Sequence, residues 1–260
     1  MNLPRADKKL GQHFLRDQKV IEAITCDHGD GDFAILEVGP GPAVLTPHLA
    51  KRGKPLAVIE MDGRFEEALR TITPNVYIGD ALEVNLELFL KETFGSKEVL
   101  LVSNLPYNVS VPLLTKFIAT PAITRMTLMF QKEVADKVFN QERNGLGSLM
   151  ALTCAYFAVK PLCKVSPGAF VPPPKVDSAV ISLERLKEPF IPMDQMNRYE
   201  SFLRLFFSQK RKQLGSVLKS RYSSEQIHEA LQTVGHDRTI RAEALTFPDV
   251  LKIYQYLEQV

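Results

Sequence analysis

From about residue 33 to residue 186, short apolar runs alternate with stretches of helical period, the pattern of a parallel sheet covered by helices on both faces. Runs at 33–38, 55–60, 75–78, 99–103, 124–130, 158–165 and 176–186 predict seven strands. Helical stretches separate most of them, among them 43–51, 63–71, 113–119 and 131–140. The last two strands are joined instead by the proline-rich loop 167–174, which predicts that they pair antiparallel. Composition shifts at Lys187-Glu188-Pro189, and the remaining chain reads as helical, with Ser223 or Ser224 capping one late helix, Gly235 ending it, and Thr246 with Pro248 starting the last. The predicted fold class is α/β: a seven-stranded doubly wound sheet over residues 1–187, followed by a small all-helical domain over 188–260.

Composition refines this picture only slightly. At 260 residues and 45% hydrophobic content, the chain is long enough for one large core and a small appended domain. A formal net charge of +2 is nearly neutral, so any binding of nucleic acid must rest on locally clustered charge. The three cysteines, Cys26, Cys154 and Cys163, are odd in number and lack metal-type spacing, which fits a reducing cytosol. The five histidines show no ligand spacing either, and no metal is expected. Residues 1–9 are charged without an apolar leader core, and no apolar stretch reaches membrane-spanning length, so a cytoplasmic protein is expected.

The candidate chemistry lies at the carboxyl ends of the predicted strands, where open α/β sheets bind their ligands. The run Ile35-Leu36-Glu37-Val38 leads into Gly39-Pro40-Gly41-Pro42, a turn whose glycines admit a ligand close to the backbone. It lacks the full G-x-G-x-x-G spacing, and Pro42 and Ala43 stand where a phosphate loop keeps open amide donors. A nucleoside bearing an amino acid therefore fits better than a pyrophosphate. Glu60 ends the next run and is placed to take ribose hydroxyls; Asp80 follows the third and either accepts from an adenine amine or caps the next helix. Glu37 either reaches the ligand's amino group through water or braces the turn. S-adenosyl-L-methionine satisfies the three strand ends together. At the fourth, Asn104-Leu105-Pro106-Tyr107 follows Val99-Leu100-Leu101-Val102. There the Asn104 amide oxygen and the Leu105 carbonyl can accept from a planar amino group while the Tyr107 ring stacks on the base that carries it.

Ordered blocks through the chain now carry a resemblance. Lys9-Leu10-Gly11-Gln12-His13-Phe14-Leu15, Leu36-Glu37-Val38-Gly39-Pro40-Gly41, Gly79-Asp80-Ala81-Leu82, Asn104-Leu105-Pro106-Tyr107-Asn108, Phe130-Gln131-Lys132-Glu133-Val134-Ala135 and the run from Pro167 through Pro172-Pro173-Pro174-Lys175-Val176-Asp177-Ser178 follow one another nearly end to end. In them the chain closely resembles the ribosomal RNA adenine dimethyltransferases of the KsgA type. The resemblance implies a Rossmann-like methyltransferase sheet, S-adenosyl-L-methionine as methyl donor and no metal. The reaction it implies is dimethylation of the N6 amines of two adjacent adenosines near the 3′ end of 16S rRNA, within the pre-30S subunit. It further implies Phe170 on the second face of the target base, and a cofactor lid formed by His13 and the backbone near Leu15. His13 departs from the family pattern, which usually has Asn there, and Pro42 replaces a common Leu.

For RNA, the nearly acid-free set Arg204, Lys210, Arg211, Lys212, Lys219 and Arg221 is predicted to place several cations on one helical face, and Lys8 and Lys9 lie beside the lid. Rival readings are a DNA or protein methyltransferase, which more typically has a second proline in place of Leu105, a 23S rRNA dimethylase of the antibiotic-resistance type, and an RNA-binding ribosome-assembly factor that needs no catalysis. Nothing in the sequence advertises a self-complementary surface, and a monomer is expected.

Overall fold

The computed structural model describes residues 12–139, 145–209 and 211–259. Its strands are β1 (Phe14–Leu15), β2 (Ala34–Val38), β3 (Leu56–Glu60), β4 (Asn75–Ile78), β5 (Val99–Asn104), β6 (Ile123–Gln131), β7 (Phe157–Val165), β8 (Phe170–Val171) and β9 (Ser178–Arg185). Seven of them form one sheet in the order β4-β3-β2-β5-β6-β9-β7, so each of the seven predicted runs is a strand of it. β2 runs parallel to both β3 and β5, with Ile35 opposite Leu56 on one side and Leu100 on the other. All five residues of β2 and of β3 are buried, which is why these strands read as unbroken apolar runs, whereas β4 at the edge alternates in exposure. β9 lies antiparallel to β6 and separates it from β7.

The helices are α1 (Gln18–Thr25), α2 (Thr46–Ala50), α3 (Glu66–Arg70), α4 (Leu86–Phe94), α5 (Ser110–Ile118), α6 (Lys132–Phe139), α7 (Ser148–Tyr156), α8 (Met196–Phe206), α9 (Leu214–Leu218), α10 (Ser224–Gln232) and α11 (Phe247–Gln259). Side-chain caps start several of them: Asp17 accepts from the Lys19 and Val20 amides, Asn85 accepts from Leu88, and Ser223 and Gln226 form a reciprocal capping box. The helix expected from residue 43 begins only at Thr46, because Ala43 takes a left-handed φ of 59° in the turn before it.

Two features were not legible in the pattern of runs. A short antiparallel ladder pairs Phe14 with Val171 and Leu15 with Phe170, anchoring the segment after Gln12 to the proline-rich loop. The chain also divides into two compact units, one comprising Met1–Ala135 with Val159–Arg185, the other Asp136–Ala158 with Leu186–Val260. The stretch 136–158 thus clusters with the late helices and not with the sheet. The reason lies in α7, which is apolar around its circumference. Its Ala151 carbonyl accepts the Tyr199 hydroxyl from α8 at 3.5 Å, and the Ala155 and Tyr156 carbonyls accept the Phe190 and Leu186 amides at 3.0 and 2.9 Å. Within this helical unit Tyr254 packs edge to face on Tyr199 and Phe202, its ring centred 4.8 and 5.1 Å from theirs.

Candidate functional site

The turn after β2 is built on backbone angles that only glycine takes without cost. Gly39 has φ 70° and Gly41 φ 54°. The Gly39 amide donates to the Ile59 carbonyl at 2.9 Å, and the Gly41 amide donates to Glu60 Oε2 at 2.7 Å. Glu60 Oε1 accepts the Asp62 amide at 2.8 Å, so one carboxylate at the end of β3 sets the shape of two turns. Burial raises the Glu60 carboxyl, and the Asp62 and Gly41 amides hold it back. The carboxyl of Asp62 is instead held down to about 2 by the Arg64 guanidinium, while Gln12 Nε2 also donates to it at 2.9 Å. Behind the turn, Glu37 is 2% exposed and its Oε2 has no partner among the described residues. Burial pushes its carboxyl up to about 8, with the Glu60 charge adding to the effect and the Thr46 hydroxyl opposing it.

At the end of β4, Asp80 Oδ1 accepts the Leu82 amide at 2.8 Å, a cap-like bond that leaves Oδ2 available. At the end of β5, the buried Ser103 hydroxyl donates to the Val38 carbonyl at 2.6 Å and fixes that strand against the glycine turn. Asn104 Nδ2 then donates to the His13 carbonyl at 3.2 Å. That bond engages one hydrogen of the Asn104 amino group, and its Oδ1 keeps the capacity to accept. Tyr107 is held at two places: its hydroxyl bonds Ser178 Oγ at 2.8 Å, and its ring stacks on the His13 imidazole with centroids 5.7 Å apart and planes inclined 26°. Burial raises the Tyr107 hydroxyl above its ordinary range, so it stays protonated.

A cleft of about 260 Å³ lies at the carboxyl ends of the parallel strands. It brings together the expected His13, Leu15, Glu37, Gly39, Glu60, Asp80, Asn104, Leu105 and Tyr107. Its lining also includes Gln12, Met61, Ala81, Val109 and Leu113, to which the sequence assigned no role. Ser178 is a further omission: it lies inside a quoted block, yet its bond to Tyr107 spans 71 residues and has no local signal.

Phe170 is placed differently from expectation. It is 2% exposed, belongs to the core cluster with Val20, Ile21 and Val165, and is not among the residues lining the cleft. Its pairing with Leu15 in the short ladder turns it into the core. The basic set does not lie along one helix. Arg211 and Lys212 lie in the turn between α8 and α9, so no single helix carries the run, and Lys210 lies outside the described residues. Arg204 pairs with Glu200 at 2.7 Å. Arg221 joins Arg198 and the Tyr222 hydroxyl on the buried Glu258 carboxylate, at 2.7 Å from Arg221. Arg211, Lys212 and Lys219 are exposed, and no described residue pairs with their side chains. Among the described residues, no group of three or more His, Cys, Asp or Glu is arranged to hold a metal ion, and no helix is long and apolar enough to cross a membrane.

The strand order, the glycine turn and the acids at successive strand ends define a Rossmann-like S-adenosylmethionine-dependent methyltransferase. The chain belongs to the ribosomal RNA adenine dimethylase family, whose family model matches residues 4–259. It is 35% identical to ribosomal RNA small subunit methyltransferase A of Clostridium botulinum (strain Okra / Type B1), over 95% of this chain and 92% of that protein. To the protein of the same name from Koribacter versatilis (strain Ellin345) it is 34% identical, over 98% and 96%. Among solved structures, the 23S rRNA methyltransferase ErmE superposes with a TM-score of 0.72 at 26% identity, covering 95% of this chain and all of that one. A dimethyladenosine transferase from Plasmodium falciparum superposes with a TM-score of 0.75 at 23% identity, covering 95% and 98%, and shares the fold.

Proposed function

We propose that this protein transfers methyl groups to the N6 amines of two adjacent adenosines near the 3′ end of 16S rRNA, giving dimethyladenosines in the late pre-30S subunit, and that it acts in the cytoplasm as a monomer. The observation that carries the reading is the Asn104 carboxamide, tied through Nδ2 to the His13 carbonyl and lining one cleft with Tyr107.

The residues present fit S-adenosylmethionine. The turn at Gly39 and Gly41 leaves the backbone open, Glu60 retains acceptor capacity for ribose hydroxyls, Asp80 Oδ2 is available to an adenine amine, and Glu37 lines the same cleft. When bound, that donor supplies a methyl group on a sulfonium whose departure as a neutral thioether needs no acid. The remaining work is geometric. An adenine amine is flat because its lone pair is delocalised into the ring, and acceptors at Asn104 Oδ1 and the Leu105 carbonyl favour the pyramidal form that attacks. Tyr107 stacks on the extruded base, and extrusion costs a few kcal/mol, which favours loop targets. Once methylated, the amine is acidic and loses its proton to water. In the helical unit, Arg211, Lys212 and Lys219 serve as phosphate contacts.

The reading of 23S rRNA as substrate shares this catalytic set. The names of the sequence relatives and the block Pro172-Pro173-Pro174-Lys175-Val176-Asp177-Ser178 support the small subunit. The test is transfer of labelled methyl to undermethylated small subunits, large subunits and deproteinised RNA, with nucleosides identified by mass spectrometry. Dimethyladenosine confined to the small subunit is expected. Label in the large subunit would reassign the substrate, and its absence from all three, with donor binding demonstrated, would favour an assembly factor.

A further inference from the structure

The loop after β4 is gripped on both sides of Asp80. Before it, the Gly79 amide donates to the Glu60 carbonyl at 2.8 Å, and a Cβ at position 79 would lie 2.6 Å from the Tyr77 ring, so the chain entering Asp80 is closely confined. After it, both polar groups of the Leu82 main chain are engaged: the amide donates to Asp80 Oδ1 at 2.8 Å, and the carbonyl accepts from Lys116 Nζ at 2.5 Å. Lys116 stands on α5, one turn from Leu113, which lines the cleft. Burial lowers the Lys116 ammonium, and the charges of Asp80 and Glu83 oppose that effect. A desolvated ammonium costs free energy that an apolar side chain of the same length would not. Here the groups that offset the cost, one carbonyl and two carboxylates, all belong to the loop that carries Asp80. At the other end of the helix, the Ser110 hydroxyl donates to the Tyr107 carbonyl at 3.1 Å.

Building on the reading of Asp80 as the acceptor for an adenine amine, we infer that Lys116 is a positioning residue for Asp80. It holds the Leu82 peptide from α5, so that Asp80 Oδ1 stays on the Leu82 amide and Oδ2 is left to the ligand. Through Ser110 and Lys116 one helix then braces two strand ends, the Tyr107 segment after β5 and the Asp80 loop after β4. The effect of Lys116 on binding should accordingly be confined to ligands that present an amine to Asp80.

The experiment is calorimetric binding of S-adenosylhomocysteine and of S-inosylhomocysteine, whose base carries a carbonyl in place of the amine. The proteins are the wild type, Lys116→Met, Asp80→Asn and the double variant, with thermal melts to verify folding. The wild type is expected to favour the adenosyl compound by more than about tenfold. Lys116→Met should weaken the adenosyl compound by about tenfold and the inosyl compound by less than about twofold, a pattern that general loosening of the cleft would not give. Asp80→Asn keeps the Oδ1 acceptor and replaces Oδ2 with an amide nitrogen, and in that background Lys116→Met should have no further effect on the preference. Should Lys116→Met fail to fold, Lys116→Gln carries the same expectation. Equal losses for the two compounds, a preference left intact, or additive losses in the double variant would each overturn the inference alone. A wild type that binds both compounds equally would instead overturn the reading of Asp80, and the inference with it.

Discussion

Asn104 donates from its side-chain amide to the main-chain carbonyl of His13, a residue 91 positions earlier, and so ties the end of β5 to the segment entering β1. With Nδ2 engaged, Oδ1 is presented as an acceptor. Asn104→Ala is expected to lower single-turnover methyl transfer by about 10²–10³-fold, the loss typical of a preorganised polar group in an active site. An Asn104→Ala protein that transfers methyl within tenfold of the wild type would remove this residue from the chemistry.

Tyr107 and Ser178 should behave as a unit. Tyr107→Phe and Ser178→Ala each remove the 2.8 Å bond, and each should cost only a few-fold in kcat/KM, with the double variant no worse than either single one. Tyr107→Ala also removes the stacking surface and is expected to cost about 10–100-fold. Additive losses in the double variant would show that the bond does not position the ring.

Stability should fall as pH rises from 4.5 to about 8, through Glu37. The unfolded chain ionises this carboxyl near 4.5, whereas the folded protein retains its proton to about 8. Between those values the native state binds the extra proton, so the contribution is full below 4.5 and is lost as pH rises to about 8. The raised Glu60 carboxyl acts in the same direction. Glu37→Gln mimics the neutral acid, and its melting temperature should match the wild type at pH 4 to 5 and exceed it by several degrees at pH 8.5. A difference that stays constant with pH would contradict the raised value.

Gly41→Ala and Gly53→Ala make a controlled pair. Both positions have left-handed φ, 54° and 65°, so each alanine should cost about 1 kcal/mol and a few degrees of melting temperature. Only Gly41 donates to Glu60 and lines the cleft, so only Gly41→Ala should weaken S-adenosylmethionine binding, by about tenfold in calorimetry. Equal effects on donor affinity would show that the turn is not a binding element.

The basic residues of the helical unit should divide into two groups. Arg211→Ala, Lys212→Ala and Lys219→Ala should each reduce the slope of log affinity for RNA against log salt by about 1, without lowering the melting temperature. Arg221→Ala should instead destabilise the protein, because Glu258, with its side chain 4% exposed, loses one of its donors. Filter binding across a salt series, with melts alongside, separates the groups.

The sheet was legible because its order depends on local signals. Unbroken apolar runs such as Leu100, Leu101 and Val102 mark strands buried on both faces, and the glycines and acids at their ends fall where parallel strands deliver them. The failures share a cause: each involves partners far apart in sequence. Phe170 reads as a loop aromatic beside a proline run, and only its pairing with Leu15 sends it into the core. Ser178 gains its role from Tyr107, and Arg221 loses its availability to Glu258, across separations that no spacing rule encodes. The truncated start of α2 is a different case, since a left-handed alanine is what residue preference argues against.

The ladder joining Phe14 to Val171 and Leu15 to Phe170 sets a timetable. A chain emerging from the ribosome carries its Gln12-His13 segment for roughly 155 residues before the strand that receives it has been made, and closing so long a loop awaits the sheet that holds both ends. The glycine turn and its acids can assemble on β2, β3 and β4 well before then. During synthesis the donor half of the cleft should therefore be the older structure, and the half that grips the nucleobase should be completed only when the nascent chain is about two-thirds long.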